Sequence, residues 1–155
     1  MIEGLERIPL VVHEDERGWF CELRRDGALP ARMPQTNVSF SRAGVVRGLH
    51  FHERGQDDLF ACLRGTARVV VLDRESGETY REDIGEENRV ALYIPGRHGH
   101  GFEALTDVLF CYHVTAEYDP ANPDEHTIPW NDPRVAHLWS TSTPILSARD
   151  AAVES

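Results

Sequence analysis

Nowhere in the chain do apolar residues recur with a helical period for as long as ten residues. Short runs of β-branched and aromatic residues alternate instead with turns carrying glycine or proline. That pattern predicts an all-β sandwich or barrel of about ten short strands. Strands are expected at Ile8–Val12, Trp19–Leu23, Gln35–Ser41, Leu59–Leu63, Thr66–Asp73, Thr79–Ile84, Arg89–Ile94 and Val108–Val114. Residues 13–18 and 53–58 read as polar turns, and residues 24–34, with Gly27, Pro30 and Pro34, as a loop. Residues 115–155 form an irregular, proline-rich C-terminal segment. No repeat or linker divides the chain, so a single domain over residues 1–155 is expected, long enough for a real core.

Composition narrows the function. A net charge of −10 argues against a general nucleic-acid binder. An anionic ligand would need a local arginine cluster working against the overall field. No apolar run reaches membrane length, and the first residues carry no basic and apolar signal pattern. Cys21, Cys62 and Cys111 are odd in number, lie among apolar neighbours and form no CxxC pair. Buried free thiols in a reducing compartment fit them best, so a cytoplasmic protein is expected.

Two stretches carry the candidate chemistry. Residues 44–52 combine Gly44, Arg47, Gly48, His50 and His52. His50 and His52, two apart, share a face on a strand, whereas Arg47 falls on the other face by alternation. Gly44 and Gly48 suggest a bend or bulge that relaxes this rule. Paired imidazoles suit acid–base work or metal binding. Residues 98–102 form a second histidine and glycine stretch, with His98 and His100. Two such stretches suggest a jelly roll holding a site inside. On Gln35–Ser41 the polar residues Gln35, Asn37, Ser39 and Ser41 share one face. This face could meet solvent or line a polar pocket.

Seven pieces in order resemble the dTDP-4-dehydrorhamnose 3,5-epimerase family. They are Arg17–Glu22, Gln35–Ser39, Val46–His50, Ile94-Pro95 leading to His100-Gly101-Phe102, Tyr112 with Tyr118, Trp130–Pro133, and Leu146–Asp150. The resemblance implies a cupin-type jelly roll and an isomerase of deoxysugar biosynthesis. Such an enzyme inverts C3, C5 or both of a nucleotide-linked 4-keto-6-deoxyhexose, most often carried on dTDP. It implies a homodimer and no cofactor or metal. Carried over, His50 is the base, Asp150 its carboxylate partner and Tyr112 the acid. The binding positions fall on Arg17, Glu22, Gln35, Asn37, Arg47, His52, His100, Glu125 and Arg149, with Arg17 and Arg47 suited to phosphates.

The chain departs from the family pattern at three places. His52 stands where glutamine is usual, Asp58 falls near a lysine that holds the developing enolate, and Glu117 takes the place of an aromatic that stacks on the base. Arg47 and His52 are then the residues left to hold the enolate. Gly44, His50, His52, Asp58 and His100 also resemble the ligand set of metal-binding cupins. A metal-binding cupin using His50, His52, Asp58 and His100 is therefore an alternative reading. A relative that isomerises the ketone or only binds the sugar is another.

Overall fold

The computed structural model describes residues 1–153, so the last two residues of the expected 1–155 domain lie outside the described residues. Twelve strands form in chain order: β1 (Glu6–Pro9), β2 (Val12–Asp15), β3 (Gly18–Cys21), β4 (Gln35–Ser41), β5 (Val46–Phe51), β6 (Asp58–Arg64), β7 (Thr66–Leu72), β8 (Thr79–Gly85), β9 (Val90–Ile94), β10 (Gly99–Ala104), β11 (Val108–Val114) and β12 (His126–Thr127). One four-residue helix, α1 (Ala148–Ala151), lies near the C-terminus. No helix among the described residues is long and apolar enough to cross a membrane.

Two five-stranded antiparallel sheets, β1-β9-β6-β11-β4 and β12-β5-β10-β7-β8, face one another as a jelly-roll sandwich. Between them pack Phe60, Val69, Val71, Ile84, Leu92, Ile94, Phe102 and Phe110. The longest apolar runs belong to strands covered on both faces. Val70 and Leu72 of β7 point outward beneath Ile128, Val135 and Trp139, so the irregular C-terminal segment serves as the lid of the second sheet. Leu59 and Ala61 of β6, with Met33, Leu23 and Leu29, form a similar cluster outside the first.

Two local expectations need correction. The single strand at 8–12 is two, because Pro9 offers no N–H to extend the ladder and ends β1. The polar turn at 13–18 is mostly strand, with β2 and β3 paired as a separate ribbon from Val12↔Cys21 to Asp15↔Gly18. The second histidine stretch enters β10 at Gly99, and β10 pairs with β5 so that His100 is the direct neighbour of His50. β4 is inverted relative to ordinary amphipathic strands. Its polar residues turn inward, while Val38 and Phe40 are 61% and 58% exposed.

Candidate active site

The site opens between the sheets as a cavity of about 820 Å³. That volume suits a ligand larger than a monosaccharide. A bulge in β5 aims its key residues. Arg47 pairs with Phe102 and His50 with His100, so Gly48 and Leu49 together oppose Gly101 alone. Gly48 takes a φ of +123°, and a Cβ there would lie 2.8 Å from the Gly101 Cα. A Cβ on Gly101 would lie 2.3 Å from the Arg47 carbonyl oxygen. The two glycines let the backbones touch, and the extra residue brings Arg47 and His50 to the same cavity. The expected bulge at Gly48 is thus present.

His50 sits between two carboxylates. Its Nε2 lies 2.8 Å from Asp150 Oδ1, and its Nδ1 lies 3.4 Å from Glu125 Oε1. Arg149 Nη2 is 3.3 Å from the same Nε2, but one ring nitrogen cannot both donate and accept in the plane. The shorter contact decides: Nε2–H donates to Asp150, and Nδ1 is the basic nitrogen. Ser147 caps α1 by accepting from the Asp150 N–H at 3.1 Å, and Asp150 Oδ2 accepts from the Gly48 N–H at 3.2 Å. Burial disfavours charge on Asp150, but His50, the Gly48 N–H and Arg149 outweigh it and hold the carboxyl below its ordinary range. Glu125 is buried too, yet its bidentate bonds from Arg149, at 2.8 and 2.9 Å, also lower it.

Across the cavity, Tyr112 on β11 stands opposite Asn37 on β4. Burial, and then the charges of Asp58 and Glu125, push its phenol up, so it holds its proton at neutral pH. Gln35 Nε2 donates to Asn37 Oδ1 at 3.0 Å, and Gln35 Oε1 accepts from the Tyr118 N–H at 2.7 Å. The inward polar face of β4 is therefore a cavity wall. Arg47 donates to Ser41 Oγ at 2.8 Å and to the Phe40 carbonyl, and makes no ion pair among the described residues. It is a cation free to meet an anion. Burial opposes charge on His52, but Asp58 and the Asp124 carbonyl outweigh it and raise the imidazole. Asp58 would rise with burial, yet His100 and then His52 hold it far below the usual range.

Ten of the twelve expected site residues line this cavity: Gln35, Asn37, Arg47, His50, His52, His100, Tyr112, Glu125, Arg149 and Asp150. Arg17 and Glu22 do not. Arg17 lies at the exposed β2–β3 turn, bound to Asp15 at 2.5 Å, and Glu22 follows β3, bound to Arg25. The four-residue metal set also needs correction. His52, Asp58 and His100 bring ligand atoms within 4.8 Å of one another, but His50 belongs to the Asp150 network instead. Gln56 and Asp124 were not anticipated. Gln56 Nε2 is 3.1 Å from His52 Nε2 and 3.0 Å from Asp58 Oδ1, while the Asp124 carbonyl accepts from His52 Nδ1 at 2.5 Å. Nothing in their local sequence marks them, because they act through amide and backbone groups.

Known proteins match the chain over nearly its full length. The family model for dTDP-4-dehydrorhamnose 3,5-epimerase matches residues 1–155. The spore coat polysaccharide biosynthesis protein SpsL of Bacillus subtilis is 38% identical over 149 residues, covering 91% of this chain and 98% of that protein. The crystal structure of the rmlC epimerase of Mycobacterium tuberculosis superposes with a TM-score of 0.89 at 34% identity, over 99% of this chain and 84% of that one. The Legionella pneumophila RmlC, solved in complex with dTDP-4-keto-L-rhamnose, superposes with a TM-score of 0.87 at 30% identity, over 97% of this chain and 87% of that one. The chain belongs to the dTDP-4-dehydrorhamnose 3,5-epimerase family.

Proposed function

We propose that this protein inverts C3, C5 or both of a 4-keto-6-deoxyhexose carried on a nucleoside diphosphate, with dTDP the first choice. The observation that carries the reading is the 2.8 Å His50–Asp150 pair facing a cavity whose other wall supplies a protonated Tyr112. A ring proton beside the C4 ketone is acidic because the carbanion delocalises as an enolate. His50 Nδ1 removes that proton, and Asp150 and Glu125 stabilise the imidazolium that forms. Tyr112 returns a proton from the opposite face, and the centre inverts. Arg47, a cation without an ion-pair partner among the described residues, takes the diphosphate. Gln35 and Asn37 hold the sugar hydroxyls from β4.

The exposed apolar faces support a homodimer. Trp19, Phe20, Val38 and Phe40 all lie at the surface, on the β3 ribbon and the outer side of β4. Pairing of two copies there would cover these residues and carry Arg17 and Glu22 toward a neighbouring cavity. The three cysteines form no disulfide, which supports the cytoplasm as the site of action.

Incubation with dTDP-4-keto-6-deoxyglucose in D₂O tests the reaction. Solvent deuterium should appear at C3, C5 or both, with formation of the inverted sugar, read by NMR and mass spectrometry. Absence of exchange on any 4-keto sugar nucleotide would sink the epimerase reading and leave only the family and fold.

A further inference from the structure

The family's enolate-holding lysine has no counterpart here. Asp58 stands near its position, and all sixteen basic residues of the chain are arginines. Asp58 is 4% exposed, and no arginine pairs with it among the described residues. A buried carboxylate without a cation is costly. Its neighbours are two histidines, His52 just past the end of β5 and His100 on β10, only 6% and 2% exposed. His52 Nε2 lies 3.5 Å from Asp58 Oδ1, and His100 Nε2 lies 3.5 Å from Asp58 Oδ2.

The tautomers are set from behind. His52 Nδ1 donates to the Asp124 carbonyl at 2.5 Å, and His100 Nδ1 donates to the His98 carbonyl at 2.9 Å. A carbonyl can only accept, so both Nδ1 atoms carry hydrogen. In the neutral rings, each Nε2 then presents a lone pair toward the carboxylate. Lone pairs from two imidazoles and one carboxylate then converge, so something positive must lie among them; without a metal, a proton on His52 can serve, in keeping with its raised imidazole. The amide of Gln56 supplies part of this, with its nitrogen against His52 Nε2 and Asp58 Oδ1. A dication meets the need more fully. Bonds of about 2.1 Å in tetrahedral geometry place ligand atoms about 3.4 Å apart. The two Nε2-to-oxygen separations here, one to each Asp58 oxygen, are 3.5 Å, and ligand atoms of the three residues all lie within 4.8 Å of one another. Carbonyl-anchored Nδ1 atoms are also the usual support behind metal-ligating histidines.

We propose that His52, Asp58 and His100 form a binding site for a divalent first-row metal ion, of the zinc, iron, manganese, cobalt or nickel type, with its open coordination positions toward the cavity of His50 and Tyr112. Two imidazoles and one carboxylate are a donor set suited to these ions. All three ligands line that cavity, as does Gln56, which must release His52 and Asp58 when the ion enters. Metal binding stands on this geometry alone. Its consequence for catalysis rests on the epimerase reading: the ion would supply the positive charge that an enolate oxygen needs and that the missing lysine does not provide.

The test uses full-length protein without a histidine tag, stripped with EDTA, dialysed and titrated with CoCl₂ or ZnCl₂. Calorimetry and the visible bands of bound cobalt should show saturation at about one equivalent per chain. His52→Gln and Asp58→Asn, each checked for fold by circular dichroism, should weaken binding by about tenfold to a hundredfold or more. His50→Asn should bind as the wild type does. No saturable binding, or binding that survives both ligand substitutions, overturns the site. Metal uptake lost in both variants, without α-proton exchange in the wild type, upholds the site and rejects the epimerase. Exchange by a chain that takes up no metal does the reverse.

Discussion

His50 and His52 lie two residues apart and line the same cavity, yet their surroundings differ in kind. His50 has a carboxylate toward each ring nitrogen and keeps 19% of its side chain exposed. His52 is anchored by a backbone carbonyl on one nitrogen and turned toward a deeply buried aspartate on the other. The first arrangement suits an imidazolium that must form and disappear, as the proposed base would. The second holds Nδ1 on a carbonyl and turns Nε2 inward to a buried carboxylate, the support found behind metal-ligating imidazoles. Sequence spacing makes the two equivalent; the partners arriving from α1, β6 and β10 make them different.

The comparison breaks most visibly at His50. His50→Asn should cut α-proton exchange by roughly 10²–10⁴-fold with the fold intact, the usual worth of a positioned base. Unchanged exchange in a folded variant moves the base elsewhere. Asp150→Asn keeps the shape but can no longer stabilise imidazolium, and should lower the rate by about 10²-fold or more. A loss confined to KM would instead make Asp150 a binding residue. Tyr112→Phe sharpens the division between the two faces: exchange should survive while inverted product falls by about 10²-fold. Equal loss of both would make Tyr112 a positioning group.

The smallest effect is on stability against acid. The folded pKa of Asp150 lies below its unfolded value, so its interactions stabilise the protein fully above that ordinary value of about 3.9. This contribution is lost as the pH falls through the folded value. The stability gap between wild type and Asp150→Asn should therefore narrow below about pH 4, as followed by urea unfolding at several pH values. A gap that stays constant into acid would show that the carboxylate charge adds nothing.

Much of this was legible in the chain because local signals agreed. Alternation and turn residues located most strands, and Gly48 announced the bulge that lets Arg47 join His50. The face of β4 was not decidable, since polar residues usually face water. Here the interior at that strand is a polar cavity, and Val38 and Phe40 face outward. Spacing could not reveal Asp150 either, because it meets His50 across 100 residues and its local context reads as an exposed tail. Only the family resemblance singled it out, although Ser147 three residues before it is a helix-capping signal. Arg17 and Glu22 matched the family by motif, yet one chain places them on the ribbon, away from its own cavity.

The carboxylate behind His50 rides on α1, a helix of four residues. A helix that short has little stability of its own and depends on its cap and its docking. Such segments open locally at free energies well below that of the whole fold. Warming should therefore detach Asp150 while the two sheets remain intact. Loss of turnover and loss of β-structure become separate events, and the working temperature of the protein is set by this one docked turn, not by its core.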